Sequence, residues 1–484
     1  MLKLPQYPSP PRRKGVILAF CITILLLYTF AAFDDTESRA KYVLRLAQQS
    51  DRYLGYDEPC EVDYLRRKEY NLTRSIVYQK RCFRGVQDST VDRKVVSDVG
   101  ASLLGSGSVI HLGKGCQEDL FEDQPCQPIS LDVPPPFPKA DLSDTIFGVA
   151  TTYERLQDSI PQFSHWLANS GGQLLAVIID HGITNRKLES LTNQYKSHDM
   201  NLVAVRPWNS TFDVKEQHFT IVRDLVQHAT PNTQWVAIID DDTFFPSPYS
   251  IAKLLDEHDS DAPVYIGGLS EDKAAVDFHG FMAFGGAGIF MSMPLVKQLE
   301  PKIEECLEEI TVREGDGLLG NCIYNKTDTE LTAMSGLHQF DMAGDLGGFY
   351  ESGRFPLSLH HWKSWHQAPV DRMAKVVDFC GGCFLQRWRF GPDTVFTNGY
   401  SIAVFEDGIS HDELKRTEGT WDRADAFEAT LGPLRDKTED GRKKSYVLVG
   451  SERVGENLRQ IYVCKATGDG GEMMDEVVEV WWER

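Results

Sequence analysis

The chain is short of positive charge. Its 484 residues hold 50 Lys and Arg against 71 Asp and Glu, a formal net charge of −21. That balance excludes binding to a polyanion through a general basic surface, so nucleic acid is not an expected partner. A nucleotide bound here needs a metal or a local cationic site. Internal repeats and low-complexity runs are also missing, so the chain is not a repeat array. Acid is absent from residues 1–14, which carry Lys3, Arg12, Arg13 and Lys14. Charge of either sign is absent from residues 15–33, GVILAFCITILLLYTFAAF. A second CxxC beside Cys380-Gly-Gly-Cys383 is missing, which favours a structural bridge there over a redox pair or half a zinc site.

What is present builds on these gaps. The apolar run 15–33 is long enough to cross a bilayer. Its basic flank (1–14) is expected to stay cytoplasmic, and Asp34, Asp35 and Glu37 to lie across the membrane. The alternative is a cleaved signal peptide, but the small-residue pattern near Ala31-Ala32 is poor. A single-pass type II anchor is therefore expected, and the short span suits a thin early-secretory membrane. Of ten cysteines, Cys21 lies in the span and the rest face an oxidising lumen, where disulfides are the default. Cys60/Cys82, Cys116/Cys126 and Cys306/Cys322 are candidate local pairs, leaving one thiol over, with Cys464 the candidate. Asn71, Asn209 and Asn325 each begin a glycosylation sequon, which fits a luminal chain.

Residues 34–140 read as a stem and cysteine-bearing lead-in, with a helical stretch around Tyr42, Val43, Leu46 and Ala47. The segment PPPFP (134–138) separates it from a unit spanning 141–400. There strands alternate with helices. Strands are expected at 145–151, 173–180, 201–207 and 234–240, and helices at 153–168 (disturbed at Pro161), 184–197 and 214–228. Continuous apolar strands between helices predict a mainly parallel, Rossmann-like mixed sheet covered on both faces, an α/β fold. A helix is expected at 294–310, and a β-rich C-terminal segment at 401–484.

The chemistry concentrates in WVAIIDDDTFF (235–245), where an apolar strand runs into Asp240, Asp241 and Asp242. Three adjacent carboxylates repel one another unless a cation meets them. Carboxylates suit hard ions such as Mg²⁺ or Mn²⁺. On an extended segment Asp240 and Asp242 face one side and Asp241 the other. An acidic turn capping the next helix is the plain alternative. Two metal enzymes fit the cluster: a phosphohydrolase with an aspartate nucleophile, or a nucleotide-sugar transferase. The hydrolase expects Thr or Val where Phe244 stands, and the spaced acidic motif is missing after Gly315-Asp316 and Gly344-Asp345. Downstream lie FGGAGIFMS (284–292), EGDGLLGNCI (314–323), LHQFD (337–341) and LSLHHW (357–362). Glycines allow close approach to a ligand; equally they mark a bulge. Asp316 is otherwise an N-cap, and the histidines are otherwise core residues.

In this order the segments resemble the Fringe-like glycosyltransferases of family 31, which have a GT-A fold and include the core-1 β3-galactosyltransferases. The resemblance spans about residues 145–400. LHQFD, LSLHHW and FLQRWRF (384–390) look most like the divergent fungal branch. It implies a UDP-sugar donor, a Mn²⁺ (or Mg²⁺) ion, a glycan or glycoprotein acceptor, inversion with a β-linkage (β1,3), and a Golgi or ER membrane setting. A homodimer stays open. Asp242 would ligate the metal, Asp240 support it, and His360 bind from the far side, with His361 the fallback. Asp316 would be the general base. Thr151 and Arg155 would meet the nucleotide, with Asp241 as a helper. Gly285, Gly286, Ala287 and Gly288 would line the donor sugar. Trp362 and Trp365 would form a wall or belong to the core. A phosphohydrolase and a non-catalytic lectin-like or chaperone member of the fold remain the alternatives.

Overall fold

The computed structural model describes residues 63–112, 126–312, 314–423, 425–466 and 473–484. The expected anchor at 15–33, the stem helix near Tyr42, and Cys60 and Cys116 lie outside them. Among the described residues no helix is long and apolar enough to cross a membrane. Arg67–Leu112 and Asp123–Arg484 form one compact unit; Asp63–Arg66, a 3-10 turn, belongs to another.

The expected alternation of strand and helix is there. Strands β1 (Thr145–Thr151), β2 (Gln173–Ile178), β3 (Asn201–Val205), β4 (Trp235–Ile238), β5 (Tyr265–Gly267), β6 (Ile289–Ser292) and β7 (Leu331–Ala333) form one seven-stranded sheet. Their order is β7-β5-β6-β4-β1-β2-β3. All neighbours are parallel except β6, which runs antiparallel to β4 and β5. The sheet is therefore mixed, with one reversed strand among parallel ones. Side chains alternate between two cores, as the two-residue period of a strand requires. On β2, Leu174, Ala176 and Ile178 join one core, and Leu175 and Val177 the other.

Helices cover both faces. On the first lie α1 (Tyr153–Asp158), α2 (Ile160–Leu167), α3 (Asn185–Lys196) and α5 (Pro248–Asp256). On the second lie α4 (Val214–His228), α6 (Met293–Leu299) and α7 (Gly315–Lys326). The helix expected at 153–168 is two, divided at Ser159. Pro161 has no N–H to give Gln157, and its ring crowds the preceding turn, so it can only open a new helix. Pro301 acts likewise: the helix expected at 294–310 becomes α6, a 3-10 turn at Glu300–Lys302, and a second helix at Ile303–Glu309.

A second sheet of ten strands joins ends of the chain that read as separate in the sequence. Ser75–Gln87, from the lead-in, pairs in parallel with Asp475–Glu483, near the C-terminus. Lys443–Val454 and Asn457–Cys464 continue the sheet to Ser401–Phe405, Thr394–Thr397 and Arg387–Phe390. Fully buried Trp482 sits among Phe83, Trp388 and Phe379, its indole N–H donating to Gln460 Oε1 at 2.9 Å.

Cys306–Cys322 and Cys380–Cys383 are bonded, as expected, and among the described residues Cys464 has no disulfide partner. Cys82 is bonded to Cys126, however, which corrects the Cys60/Cys82 and Cys116/Cys126 pairs. The reason is strand pairing. Phe83 is opposite Ile129 in a parallel ladder, which carries Cys126 to Cys82 across 44 residues of chain. Non-reducing peptide mapping should find Cys82 linked to Cys126. Trp482→Ala should cost about 3–5 kcal/mol in denaturant unfolding, because the cavity has no side chain to refill it.

Candidate functional site

The strand order turns at β1 and β4: β2 and β3 lie to one side, β6 to the other. Open α/β sheets bind ligands beyond the carboxyl ends of their strands at such a point. There β1 ends in Thr151, and β4 runs on into Asp240–Asp242. A cleft of about 640 Å³ opens at this edge, within the range of small-molecule sites.

The acids are anchored from both ends. Upstream, Ile239 N–H donates to Gly148 O at 2.9 Å. Downstream, Phe245 is buried against Trp166 and Phe290, and Phe244 stacks on His165. Phe244 also makes a two-way backbone bridge with Leu359, each N–H donating to the other's carbonyl at 2.8 Å. This bridge brings the LSLHHW segment alongside the aspartates.

The three carboxylates separate as their positions require. Asp241 turns inward and is 4 % exposed. Arg155 grips it in a fork, Nε to Oδ2 at 2.6 Å and Nη2 to Oδ1 at 2.5 Å. Thr151 Oγ1 also donates to Oδ2, and Lys363 Nζ lies 3.1 Å from Oδ1. Asp240 and Asp242 face the cleft instead. His360 Nε2 lies 3.3 Å from Asp240 Oδ2 and 3.1 Å from Asp242 Oδ1. Ser364 Oγ donates to the other oxygen of Asp242 at 3.2 Å.

His360 is the decisive contact. Its Nδ1–H donates to the Gln339 carbonyl at 3.0 Å, since that oxygen can only accept. The ring therefore aims Nε2 at two carboxylates. A bare lone pair there meets only negative charge, so Nε2 must carry a proton or face a metal ion. Burial alone would lower the His360 pKa, but contact with Asp240 and Asp242 outweighs it and pushes the pKa up to about 10. The same contacts overcome burial in the opposite sense for the acids, holding Asp242 and Asp240 below the usual carboxylate range. Asp242, His360 and His361 can each turn one ligand atom into a group within 4.8 Å. One carboxylate oxygen with two imidazole nitrogens is a donor set suited to a divalent transition ion such as Mn²⁺ rather than to Mg²⁺, which prefers oxygen alone. Asp240 stands beside the group, and both histidines belong to it.

The glycines are explained by these rings. A Cβ on Gly286 would lie 2.1 Å from His360 Cε1, and one on Gly285 2.8 Å from His218 Nε2. Gly285 and Gly286 line the cleft. Ala287 and Gly288 are buried and are not among the residues that line it. The Ala287 amide is spent on Gln339 Oε1 at 2.9 Å. The two tryptophans separate: Trp362 is 6 % exposed and belongs to the core, whereas Trp365 is 52 % exposed and lines the cleft. Trp365 stacks on His361, ring centroids 4.1 Å apart. Thr151 and Arg155 also line the cleft while holding Asp241.

Asp316 lies in the first turn of α7 and lines the same cleft. Its Oδ2 accepts from Gly285 N–H at 3.2 Å, and its Oδ1 from Gly317 N–H at 2.9 Å. His218, Lys215, Gln339, Ser364 and Lys363 were not singled out from the sequence. His218 lies on the helix expected at 214–228, where the apolar period that marks the helix does not mark a polar residue beside it. Gln339 sits in LHQFD, so only its side-chain role was missed; Ser364 lies two residues beyond LSLHHW and no pattern marked it.

Residues 275–375 match a family model described as "Protein of unknown function, DUF604". The matched stretch is less than half of the chain; it holds Asp316 and His360 but not the three aspartates. No curated protein matches the sequence. Solved structures similar in part include the galactosyltransferase LgtC in complex with donor and acceptor sugar analogues. It shares 10 % identity over 38 % of this chain and 72 % of its own, at a TM-score of 0.27. The glycosyltransferase GlyE of Streptococcus pneumoniae TIGR4 shares 15 % identity over 50 % and 60 %, at 0.31. Mouse xyloside xylosyltransferase 1 shares 11 % over 39 % and 84 %, at 0.27. Likeness at these scores carries no functional argument, which rests on the residues above.

Gly286→Ala should displace His360 and abolish Mn²⁺ binding in a metal titration, with the fold retained by circular dichroism. Trp362→Ala should destabilise by about 3–5 kcal/mol, whereas Trp365→Ala should stay within about 0.5 kcal/mol, both read from denaturant midpoints.

Proposed function

We propose that the chain is a metal-dependent glycosyltransferase of the GT-A kind. It moves a sugar from a UDP-sugar to a hydroxyl of a glycan or glycoprotein. The observation that carries this is the meeting of Asp242, His360 and His361 at the carboxyl edge of the sheet, in one cleft with Asp316. That cleft is the only place among the described residues where such a group lies. Asp242 and His360, with His361 and Asp240 alongside, would hold Mn²⁺, which when bound neutralises the departing diphosphate.

The chain's own residues do the rest. Arg155 lies in α1, its side chain half-exposed and fixed by Asp241, and lines the cleft, where it would meet the nucleotide. Asp316 is oriented by two backbone amides. It takes the proton from the acceptor hydroxyl as that oxygen attacks the anomeric carbon. One in-line displacement inverts the anomer, so an α-linked donor yields a β-linkage, with β1,3 the linkage that the sequence resemblance suggests. The setting is the Golgi or ER lumen, with residues 15–33 as the anchor.

The test is a UDP-sugar panel read as Mn²⁺-dependent UDP release by the full chain. Release should disappear with chelator and return with Mn²⁺; full release in chelator by a metal-free protein would sink the site. Asp316→Asn should keep UDP affinity and lose at least about 10²-fold in turnover, the low end for general-base catalysis. Phosphate release from p-nitrophenyl phosphate without sugar transfer would point instead to the phosphohydrolase.

A further inference from the structure

Asp240 has a ring on each side of it. Its Oδ2 faces His360 Nε2 at 3.3 Å, and its Oδ1 faces His218 Nδ1 at 3.5 Å. Asp240 is also the most open of the three acids, its side chain 40 % exposed against 6 % for Asp242 and 3 % for Asp241. At that exposure the polar contacts at its two oxygens help limit its rotation. Yet it accepts nothing from Arg155 or Lys363, which are spent on Asp241.

His218 is well placed to supply that limit. It projects from α4, its side chain 11 % exposed, and lines the cleft. Its ring is held rather than free. A Cβ on Gly285 would lie 2.8 Å from its Nε2, and one on Gly315 would lie 2.8 Å from its Cβ. Two glycines from different segments therefore make room for this one side chain. Gly315 adjoins Asp316 and opens α7, and Gly285 is the residue whose amide Asp316 accepts from. His218 thus touches the metal side of the cleft through Asp240 and the base side through Gly285 and Gly315. Among the described residues its Nε2 is buried without a hydrogen-bond partner. An imidazole that bears its proton on Nδ1 leaves only an acceptor at Nε2, which is the cheaper group to leave unpaired.

We infer that His218 is a positioning residue. It occupies Oδ1 of Asp240, so that Oδ2 alone is presented toward the Asp242–His360 group. The inference rests on the metal-dependent reading above and goes further. Asp240 serves the metal through one oxygen, and a residue outside every motif sets which one.

The test separates the ring's polar contact from its bulk. His218→Phe keeps the volume and removes the donor; His218→Asn shortens the side chain but places an amide N–H near the Nδ1 position. Mn²⁺ affinity is read by paramagnetic resonance titration of the full chain, without donor or acceptor. His218→Phe should weaken Mn²⁺ binding about 10–100-fold, the usual effect of losing an outer partner of a ligand. His218→Asn should stay within about threefold of the wild type, as expected if the donor rather than the ring is what counts. In an Asp240→Asn background the Phe change should add less than it does alone. If the Phe variant does not fold, His218→Leu takes its place in the same comparison. Unchanged Mn²⁺ affinity in the folded Phe or Leu variant overturns the inference while the metal site stands. A wild type that binds no Mn²⁺ overturns both, so the two failures are distinguishable.

Discussion

The site depends on a backbone bridge between Phe244 and Leu359. Side chains place His360 near the aspartates, but this pair of 2.8 Å hydrogen bonds sets the register. Slipping either segment by one residue would turn His360 or Asp242 to the opposite face, since extended backbone alternates. The bridge is itself secured by burial. Phe244, Phe245 and Leu359 are all fully buried, and Ser358 Oγ donates to Ala287 O at 2.7 Å, tying in the glycine segment. Metal-side acids, histidine and glycines are thus three consequences of one local register.

Three consecutive aspartates pose a charge problem that the fold answers in two ways. Asp241 is neutralised by protein cations, Arg155 in a fork and Lys363 beside it. Burying it is acceptable because its partners are buried with it or supply paired hydrogen bonds. Among the described residues Asp240 and Asp242 form no ion pair with Lys or Arg. Their compensation is a histidine, whose Nε2 carries either a proton or a metal bond. The division lets one short sequence both brace the strand end and offer negative charge to the cleft. Lys215, another cation lining the cleft, lies 3.6 Å from Glu314.

Support for the histidine segment comes from beneath. Glu271, fully buried, accepts from the Phe340 amide and contacts His338 Nδ1 at 2.8 Å. Gln339 lies between these two residues. Its carbonyl sets the His360 tautomer, and its side chain holds the Ala287 amide. The second sheet adds the outer wall of the same core, where Trp388 and Trp482 join Leu359 and Trp362 in one cluster. Residues near both ends of the compact unit therefore contribute to the rigidity of a site formed in its middle.

Much of the central sheet was legible because its cause is local. β1 has the predicted bounds, and α4 runs over the predicted 214–228, since apolar period and capping residues act over a few positions. The prolines at 161 and 301 broke helices for equally local reasons, and only the first was expected to. The acids, the glycine run, Asp316 and the doubled histidine were visible as residue types suited to a metal and a base. Other facts were decided by contacts across long separations. Nothing near Cys82 in the chain announces Cys126, because a parallel ladder joins them. Nothing in WVAIIDDDTFF shows that Arg155 and Thr151 serve Asp241. The pattern HHW does not reveal that Trp362 is core and that Trp365 faces the cleft, for a turn with His361 in the left-handed region intervenes. Sequence alone determined which chemistry was available, through charge, spacing and period. Tertiary structure decided which oxygen, ring and amide meet, because those distances are set by strand register and by the room that Gly285, Gly286 and Gly315 leave.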